Sequence, residues 1–450
     1  MKGSHCPELL AACWVAAFVI AAAALPARAQ TALEACGVSD RADKWLAAYE
    51  ADSDFSGVVL IAQGDRILAE KTYGKADFVR DVPNTIETRF RIASLTKTYT
   101  AACIELLVMR GRLGLRDTLG RYVSGIANGD VITVEQLLLH KSGIGVVDTP
   151  DRYIDCLPSA ELLRRLRDAK PLFPPGKDDQ YSNEGYFLLA LIIEKVSGAS
   201  YEQFLRDNIF SPLGMKSSGI ACKDLPPGPD AAGHVPGIAR NAVVGLPANE
   251  AAEIGSGSAY SNVRDLLSWL RAVDSNPSFK VDRWRYPYGW GKRNYSGRAL
   301  IEQSGIVEGF NAHIALYPGE HIYAVVLGNI QSGLFNRVPK DLEKVLFSGE
   351  TTRPPAVVPV ELEVRKLQDY AGEYASDAIP YHQTLAVQDG TLYMRWGQFP
   401  FRRALIPTGN DEFFFRYEYA TVRFGRDSSG KVVSMSWQWP EGSPMAFRKL

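Results

Sequence analysis

The stretch Thr351-Thr-Arg-Pro-Pro-Ala-Val-Val-Pro359 constrains this chain more than any other feature. Proline lacks an amide proton and its ring clashes with the preceding turn, so no helix runs through this stretch, which suits an extended connector. The chain is therefore divided into a long first part and a short second part, and the two read differently. From about residue 364 onward, short alternating strands with turns at Asp389-Gly390, Thr408-Gly409-Asn410 and Ser428-Ser429-Gly430 predict a small antiparallel β domain, closed or nearly closed into a barrel. The expected partition is a leader over 1–29, a first domain over 30–350, a linker over 351–363 and the barrel over 364–450.

Within the first part the period of the apolar residues changes twice. Residues 55–73 show strand patterning on both sides of Gln63-Gly64-Asp65, an early hairpin. Apolar residues then recur at helical spacing from Ser94 to about Arg110, ended by Gly111 and Gly114, and helical patterns dominate 115–275, including Gly185 to Val196 and Asn262 to Val273. Strand patterns return at Tyr288-Gly-Trp-Gly, Ala299-Leu-Ile-Glu, Phe310 to Tyr317 and Ile322 to Asn329, with a turn at Pro318-Gly319 joining the last two. A helix is expected near Val338 to Phe347. The fold class that follows is α+β.

The first 29 residues carry Lys2, an apolar run from Leu9 to Leu25 and Ala27-Arg28-Ala29, the form of a secretory leader with a small-residue cleavage site. Cleavage is favoured over an uncleaved anchor because the run is short for a span and the Ala-x-Ala ending follows it directly, so no stable membrane span is expected once the leader is removed. A periplasmic or secreted protein is expected. Lys and Arg total 50 against 51 for Asp and Glu, so no global field draws the chain to nucleic acid. Export permits disulfides among Cys36, Cys103, Cys156 and Cys222, and Cys156 with Cys222 is the pairing favoured, both lying in loop-like stretches. The cysteines lack close zinc-ligand spacing and the six histidines are scattered, so neither a metal site nor a cofactor is expected.

Ser94-Leu-Thr-Lys97 places a hydroxyl and an amine one helical turn apart on the same face, a geometry that permits proton transfer to activate a serine nucleophile. The spacing alone is weak. Ser428-Ser-Gly-Lys431 repeats it in a hairpin turn, and Ser94 could equally be a helix cap. Only the first copy opens an apolar helix behind Phe90-Arg91-Ile92-Ala93. A second element is Tyr181-Ser-Asn183, after Phe173-Pro-Pro-Gly176: a phenol can act as general base and an asparagine can hold a substrate amide. Tyr260-Ser-Asn262 repeats that triplet too, but there Ser261 or Asn262 reads as a helix cap.

Together, Ser94-x-x-Lys97, Leu138-Leu-His-Lys-Ser-Gly143, Tyr181-Ser-Asn183 and Gly305-Ile-Val-Glu-Gly309-Phe310 resemble the β-lactamase-related serine hydrolases, the group of class C β-lactamases, D-alanyl-D-alanine carboxypeptidases, D-aminopeptidases and related esterases. The resemblance runs over about 45–350 in the expected order. It implies an antiparallel sheet flanked by helices, a mainly helical half, and a site between them. There Ser94 would form an acyl-enzyme, Lys97 and Tyr181 would share proton transfer, and Asn183 would orient a small-molecule or peptide substrate. Gln303, Ser304 and Gly305 would bind it, and the backbone N–H groups of Ser94 and Ile306 would hold the oxyanion. The tail from about 364 resembles the small lipocalin-like β domain often appended to these hydrolases; it could cap the cleft, mediate oligomerisation or hold a ligand, and the oligomeric state is not legible.

The departure from the family lies at Gln303-Ser304-Gly305, where it usually has a lysine or histidine first. Gln303 supplies no positive charge to bind a substrate carboxylate or tune the tyrosine, which shifts the expectation toward esters or amides without a required carboxylate. It also motivates a rival reading, a non-catalytic binding or sensor protein that keeps the fold. His140 is expected to be structural, and Tyr286, Tyr288, Trp290 and Tyr295 to pack more than to line an acyl-binding wall.

Overall fold

The computed structural model describes residues 33–147, 157–221, 225–237, 243–245, 254–279, 288–349, 357–379, 382–397, 402–440 and 442–450. The expected leader, the Cys156–Cys222 pair and Tyr286 lie outside these residues. Cys103 is a buried free thiol.

The early hairpin forms where the alternation placed it, as β1 (Gly57–Gln63) and β2 (Arg66–Tyr73). Four further strands, β3 (Gly291–Tyr295), β4 (Arg298–Val307), β5 (Phe310–Tyr317) and β6 (Ile322–Gly328), complete an antiparallel sheet in the order β3-β4-β5-β6-β1-β2. Every residue of β5 and β6 is buried because both faces are covered. On β1 the side chains alternate: Val58, Leu60 and Ala62 join one apolar cluster, Val59 and Ile61 the other. Each large aliphatic side chain enclosed this way contributes about 1.5–3 kcal/mol.

The second cluster is closed by helix α1 (Ala35–Ala51), which supplies Trp45, Leu46 and Tyr49. The first cluster faces the helical half: α2 (Thr96–Met109), α3 (Val134–Leu138), α4 (Ser159–Asp168), α5 (Asn183–Ser197), α6 (Tyr201–Leu205) and α7 (Val263–Ser275). Helix α2 is buried from Thr96 to Leu107, its amine at Lys97 and carboxyl at Glu105 enclosed along with its apolar side chains. Asn262 caps α7 by accepting from Asp265 N–H, so the second Tyr-Ser-Asn triplet is a helix start.

Two boundaries differ from the sequence reading. Tyr288-Gly-Trp is a turn, and β3 begins only at Gly291: Gly289 takes a φ of +75° and a Cβ there would sit 2.6 Å from the Lys97 carbonyl oxygen, so the chain bends against α2 before extending. The helix from Val338 holds α geometry to Glu343 (α8), then widens to a π turn over Lys344–Ser348 that ends at left-handed Gly349. Helix α9 (Val364–Gln368) opens the C-terminal part.

There nine antiparallel strands follow: β7 (Gly372–Ala375), β8 (Gln383–Gln388), β9 (Thr391–Trp396), β10 (Arg403–Ala404), β11 (Ile406–Gly409), β12 (Glu412–Phe415), β13 (Ala420–Arg426), β14 (Val432–Gln438) and β15 (Met445–Lys449). Their order, β10-β9-β8-β7-β15-β14-β13-β12-β11, brings the two edge strands together across Leu405 and makes a nearly closed barrel. Tyr370, Tyr374, Phe413, Phe415, Trp437 and Phe447 are among the side chains that fill it. The Ser428-Ser-Gly-Lys431 repeat lies in the turn between β13 and β14.

The barrel is pinned to the first part by buried charge. In the turn after β12, the Arg416 guanidinium donates to Asp54 Oδ1 from Nε at 2.9 Å and from Nη2 at 2.6 Å, and Tyr419 OH donates to Asp54 Oδ2 at 3.0 Å. Arg403 of β10 pairs with Glu308 in the β4–β5 turn, both buried.

Candidate active site

The approach to Ser94 is fixed from both sides. Phe90–Arg91 pairs with the short strand Ala259–Ser261, and Ile92 N–H donates to Ala259 O. The chain then turns through a 3-10 segment, Ala93–Leu95, before α2 begins at Thr96. Ala93 holds a φ of +46°, a costly conformation for a residue with a side chain, immediately before the serine. Ser94 thus sits in the tight turn ahead of the helix and makes no side-chain cap bond; the cap role considered from sequence is not the one it takes.

Lys97 follows one turn later and is fully buried. Its Nζ donates to Ser94 Oγ at 3.2 Å, to Asn183 Oδ1 at 2.7 Å and to the Ser256 carbonyl at 2.8 Å. Three acceptors match the three N–H bonds of an ammonium. Asn183 is the first residue of α5, whose cap is Ser182 accepting from Gly185 N–H, so the asparagine is aimed by a rigid helix start. The Ser256 carbonyl comes from the turn before Ala259–Ser261, and Thr100 Oγ1 anchors that turn by donating to Gly255 O.

Tyr181 OH donates to Ser94 Oγ at 2.6 Å. The residue is 54% exposed, yet its phenol is pushed up to about 12 by burial, with the Ser94 hydrogen bond acting the other way. Its ring centroid lies 4.6 Å from Lys97 Nζ, and the ring also stacks on His140 at 4.7 Å. His140 takes a left-handed φ of +58° and accepts from Ser182 N–H through Nδ1. Burial, and then the charge of Lys97, push its pKa down to about 4, so near neutral pH it is an uncharged backing for Tyr181.

The third element arrives on β4. Its neighbour β3 stops pairing at Glu302, so residues 303–307 present an edge that β3 does not cover, and the turn carrying Ser94 packs there. Gly305 is the contact: a Cβ would lie 2.2 Å from Ile92 O and 3.0 Å from Ser94 N, so any side chain would push the strand away. The Ser94 backbone and that of Gly305-Ile306 are thereby adjacent. The side chains of Gln303 and Ser304 turn elsewhere. Gln303 Nε2 donates to Gly289 O at 2.7 Å and its Oε1 accepts from Ser304 N–H, while Ser304 Oγ bonds His313 on β5.

Ser94, Lys97, Tyr181 and Asn183 therefore converge, with Gly305 and Ile306 beside them, whereas Gln303 braces the Tyr288–Trp290 turn. That turn packs: Tyr288 OH donates to Glu135 and Trp290 stacks near Trp269. Sequence reasoning missed Ser256 and His313. The glycines flanking Ser256 hint at a tight turn, but nothing in the spacing of either residue points to the site. Among the described residues no group of three His, Cys, Asp or Glu side chains is placed to share a metal ion.

Residues 42–346 match the beta-lactamase family, and residues 357–449 match a domain of unknown function (DUF3471). Protein flp of Staphylococcus aureus (strain MW2) is 28% identical over 309 residues, which cover 63% of this chain and 61% of flp, so the match spans about three fifths of that relative. Among solved structures, the octameric penicillin-binding protein homologue from Pyrococcus abyssi superposes with a TM-score of 0.59 at 23% identity, covering 90% of this chain and 98% of that one. A class C beta-lactamase does so with a TM-score of 0.59 at 21% identity, covering 69% and 95%. At these identities the likeness of the two structures is one of fold.

Proposed function

The chain belongs to the beta-lactamase family, and from that premise we propose that it is an exported serine hydrolase that passes a small ester or amide through an acyl-enzyme on Ser94. One observation carries the reading: the Ser94 hydroxyl lies between Tyr181 OH at 2.6 Å and Lys97 Nζ at 3.2 Å. In this scheme Ser94 Oγ attacks the substrate carbonyl and its proton passes to the Lys97–Tyr181 pair. The proton then goes to the leaving alkoxide or amine. The N–H groups of Ser94 and Ile306 hold the oxyanion, and water repeats the sequence to free the acid. Export rests on the leader-like first 29 residues, and among the described residues no helix is long and apolar enough to cross a membrane.

The resting protonation state has a consequence. Lys97 has three acceptors around it and burial keeps the Tyr181 phenol protonated, so the attacking form has lost a proton from this pair. With the phenol at about 12, its ionised fraction grows tenfold per pH unit through the neutral and mildly alkaline range. Hydrolysis of para-nitrophenyl esters of short acids is expected in the wild type, with kcat/KM climbing from about pH 7 to about pH 9. Ser94→Ala is expected to lower it by roughly 10³-fold or more. Full activity in Ser94→Ala would sink the reading, and a wild type that turns over no ester would favour the non-catalytic binding protein suggested by Gln303.

A further inference from the structure

Strand β4 ends in the Glu308-Gly309 turn, and the C-terminal barrel grips that turn twice. The first grip is the ion pair of Glu308 with Arg403 of β10, whose side chains are 3% and 6% exposed. Burial pushes the Glu308 carboxyl pKa up, and the Arg403 charge is the main influence against it. The second grip runs through Gln331, just beyond β6. Its Oε1 accepts from Gly309 N–H at 3.0 Å, and its Nε2 donates to Tyr417 OH at 2.6 Å in the turn after β12. The Arg403 guanidinium lies over the Tyr417 ring, 4.8 Å from its centroid, so the two barrel residues brace one another. From this turn the way to the nucleophile is short. The ladder with β5 runs back without a break through Val307, Ile306 and Gly305, so a shift of the turn is carried along it. At Gly305 a Cβ would sit 2.2 Å from Ile92 O and 3.0 Å from Ser94 N, which makes β4 the surface on which the Ser94 turn rests. That turn holds Ala93 at a φ of +46°, a conformation that persists only where its surroundings enforce it.

We propose that the barrel is a working part of the Ser94 site: Arg403, together with Tyr417 acting through Gln331, holds the Glu308-Gly309 turn and so fixes β4 against the turn that carries the nucleophile. This rests on the Ser94 acyl-enzyme reading and names what keeps that serine in its attacking position. The Ser94 turn is held on its other side by the short strand Ala259–Ser261, so β4 is the wall that the barrel controls. None of the three side chains touches the reacting atoms; they are positioning residues. Misplacing an attacking group by about 1 Å can cost about 10²-fold in rate, so a loosened turn has a large effect on chemistry without any contact to substrate.

The test uses the full chain and reads two rates well below each protein's melt: kcat/KM for para-nitrophenyl butyrate and the rate constant for fluorophosphonate labelling of Ser94. Arg403→Met is expected to lower both by roughly 10- to 100-fold. It is also expected to lower the Tm, because Glu308 is left enclosed without its cation. Adding Glu308→Gln removes that charge, so the Tm is expected to recover while both rates stay low, the turn being still untethered. A merely structural role for Arg403 would leave the rates of the folded single variant at the wild-type level, or restore them with the Tm in the double variant. Tyr417→Phe keeps the ring under Arg403 and loses only the hydroxyl that accepts from Gln331. It is expected to lower both rates by about two- to tenfold, the scale of one hydrogen bond. If Arg403→Met does not fold, Tyr417→Phe decides alone. A labelled wild type whose folded variants keep its rates, or a double variant whose rates recover with its Tm, overturns the proposal. A wild type that neither labels nor turns over the ester overturns the acyl-enzyme reading beneath it, and the proposal with it.

Discussion

Lys97→Met is expected to lower kcat/KM for ester hydrolysis by about 10²- to 10⁴-fold while the protein still folds. The side chain is fully enclosed, and its Nζ is where Ser94, Asn183 and the Ser256 carbonyl meet. Methionine fills a similar volume without the amine, so the change removes the proton-transfer partner and the bond that positions Ser94 Oγ, with little effect on the packing of α2. Stability shifts by two opposed terms: Asn183 Oδ1 and the Ser256 carbonyl lose a donor, while the cost of burying an ammonium disappears. The Tm is therefore expected to move far less than the rate. Because the groups act as a unit, adding Lys97→Met to Ser94→Ala should cost little more than Ser94→Ala alone. Steady-state kinetics with matched thermal melts check both points, and an independent, fully additive loss would contradict a shared role.

Arg416→Ala is expected to destabilise the protein by about 3–5 kcal/mol, the scale for removing one partner of a buried ion pair. Arg416 and Asp54 are 5% and 4% exposed, and the guanidinium also donates to Gly237 O at 3.1 Å and to Asp52 O. Asp54 lies three residues before Gly57, where β1 begins, so the contact joins the barrel to the start of the central sheet. Without Arg416, Asp54 would keep only Tyr419 as a side-chain partner among the described residues, and burial, which already pushes its carboxyl pKa up, would lose its main compensation. Adding Asp54→Asn to Arg416→Ala removes the stranded charge and should recover part of the loss, at least about 1 kcal/mol. Denaturant unfolding of the four proteins measures this coupling. A loss below about 1 kcal/mol for Arg416→Ala would show that the contact does not hold the barrel in place.

What the sequence discloses follows the range of the contact. Ser94 and Lys97 are three residues apart, and helical geometry alone puts them on one face; Tyr181 and Asn183 share a short loop ending in a helix cap. The strands at 57–73 and 298–328 declare themselves by runs of apolar residues between turns. Contacts set by register or by backbone are silent. Ser304 meets His313 only because the β4–β5 hairpin aligns them, and no spacing rule marks a histidine nine positions away as its partner. Ser256 contributes a carbonyl, which any residue type could offer. Gln303 shows in sequence that a cation is missing, but not that its amide is tied to Gly289. Arg416 and Asp54 lie 362 positions apart, and only the folded barrel brings them together. The turn at Tyr288–Trp290 reads as a strand because aromatics favour strands, and the approach of Gly289 to the Lys97 carbonyl overrides that preference.

The central claim is that Ser94 is an activated nucleophile, and intact-mass analysis after exposure to a fluorophosphonate tests it most directly. The wild type is expected to gain the mass of one phosphonyl adduct, mapped to Ser94 by peptide analysis, and Ser94→Ala is expected to gain none. An unlabelled wild type, or equal labelling of Ser94→Ala, would contradict the account.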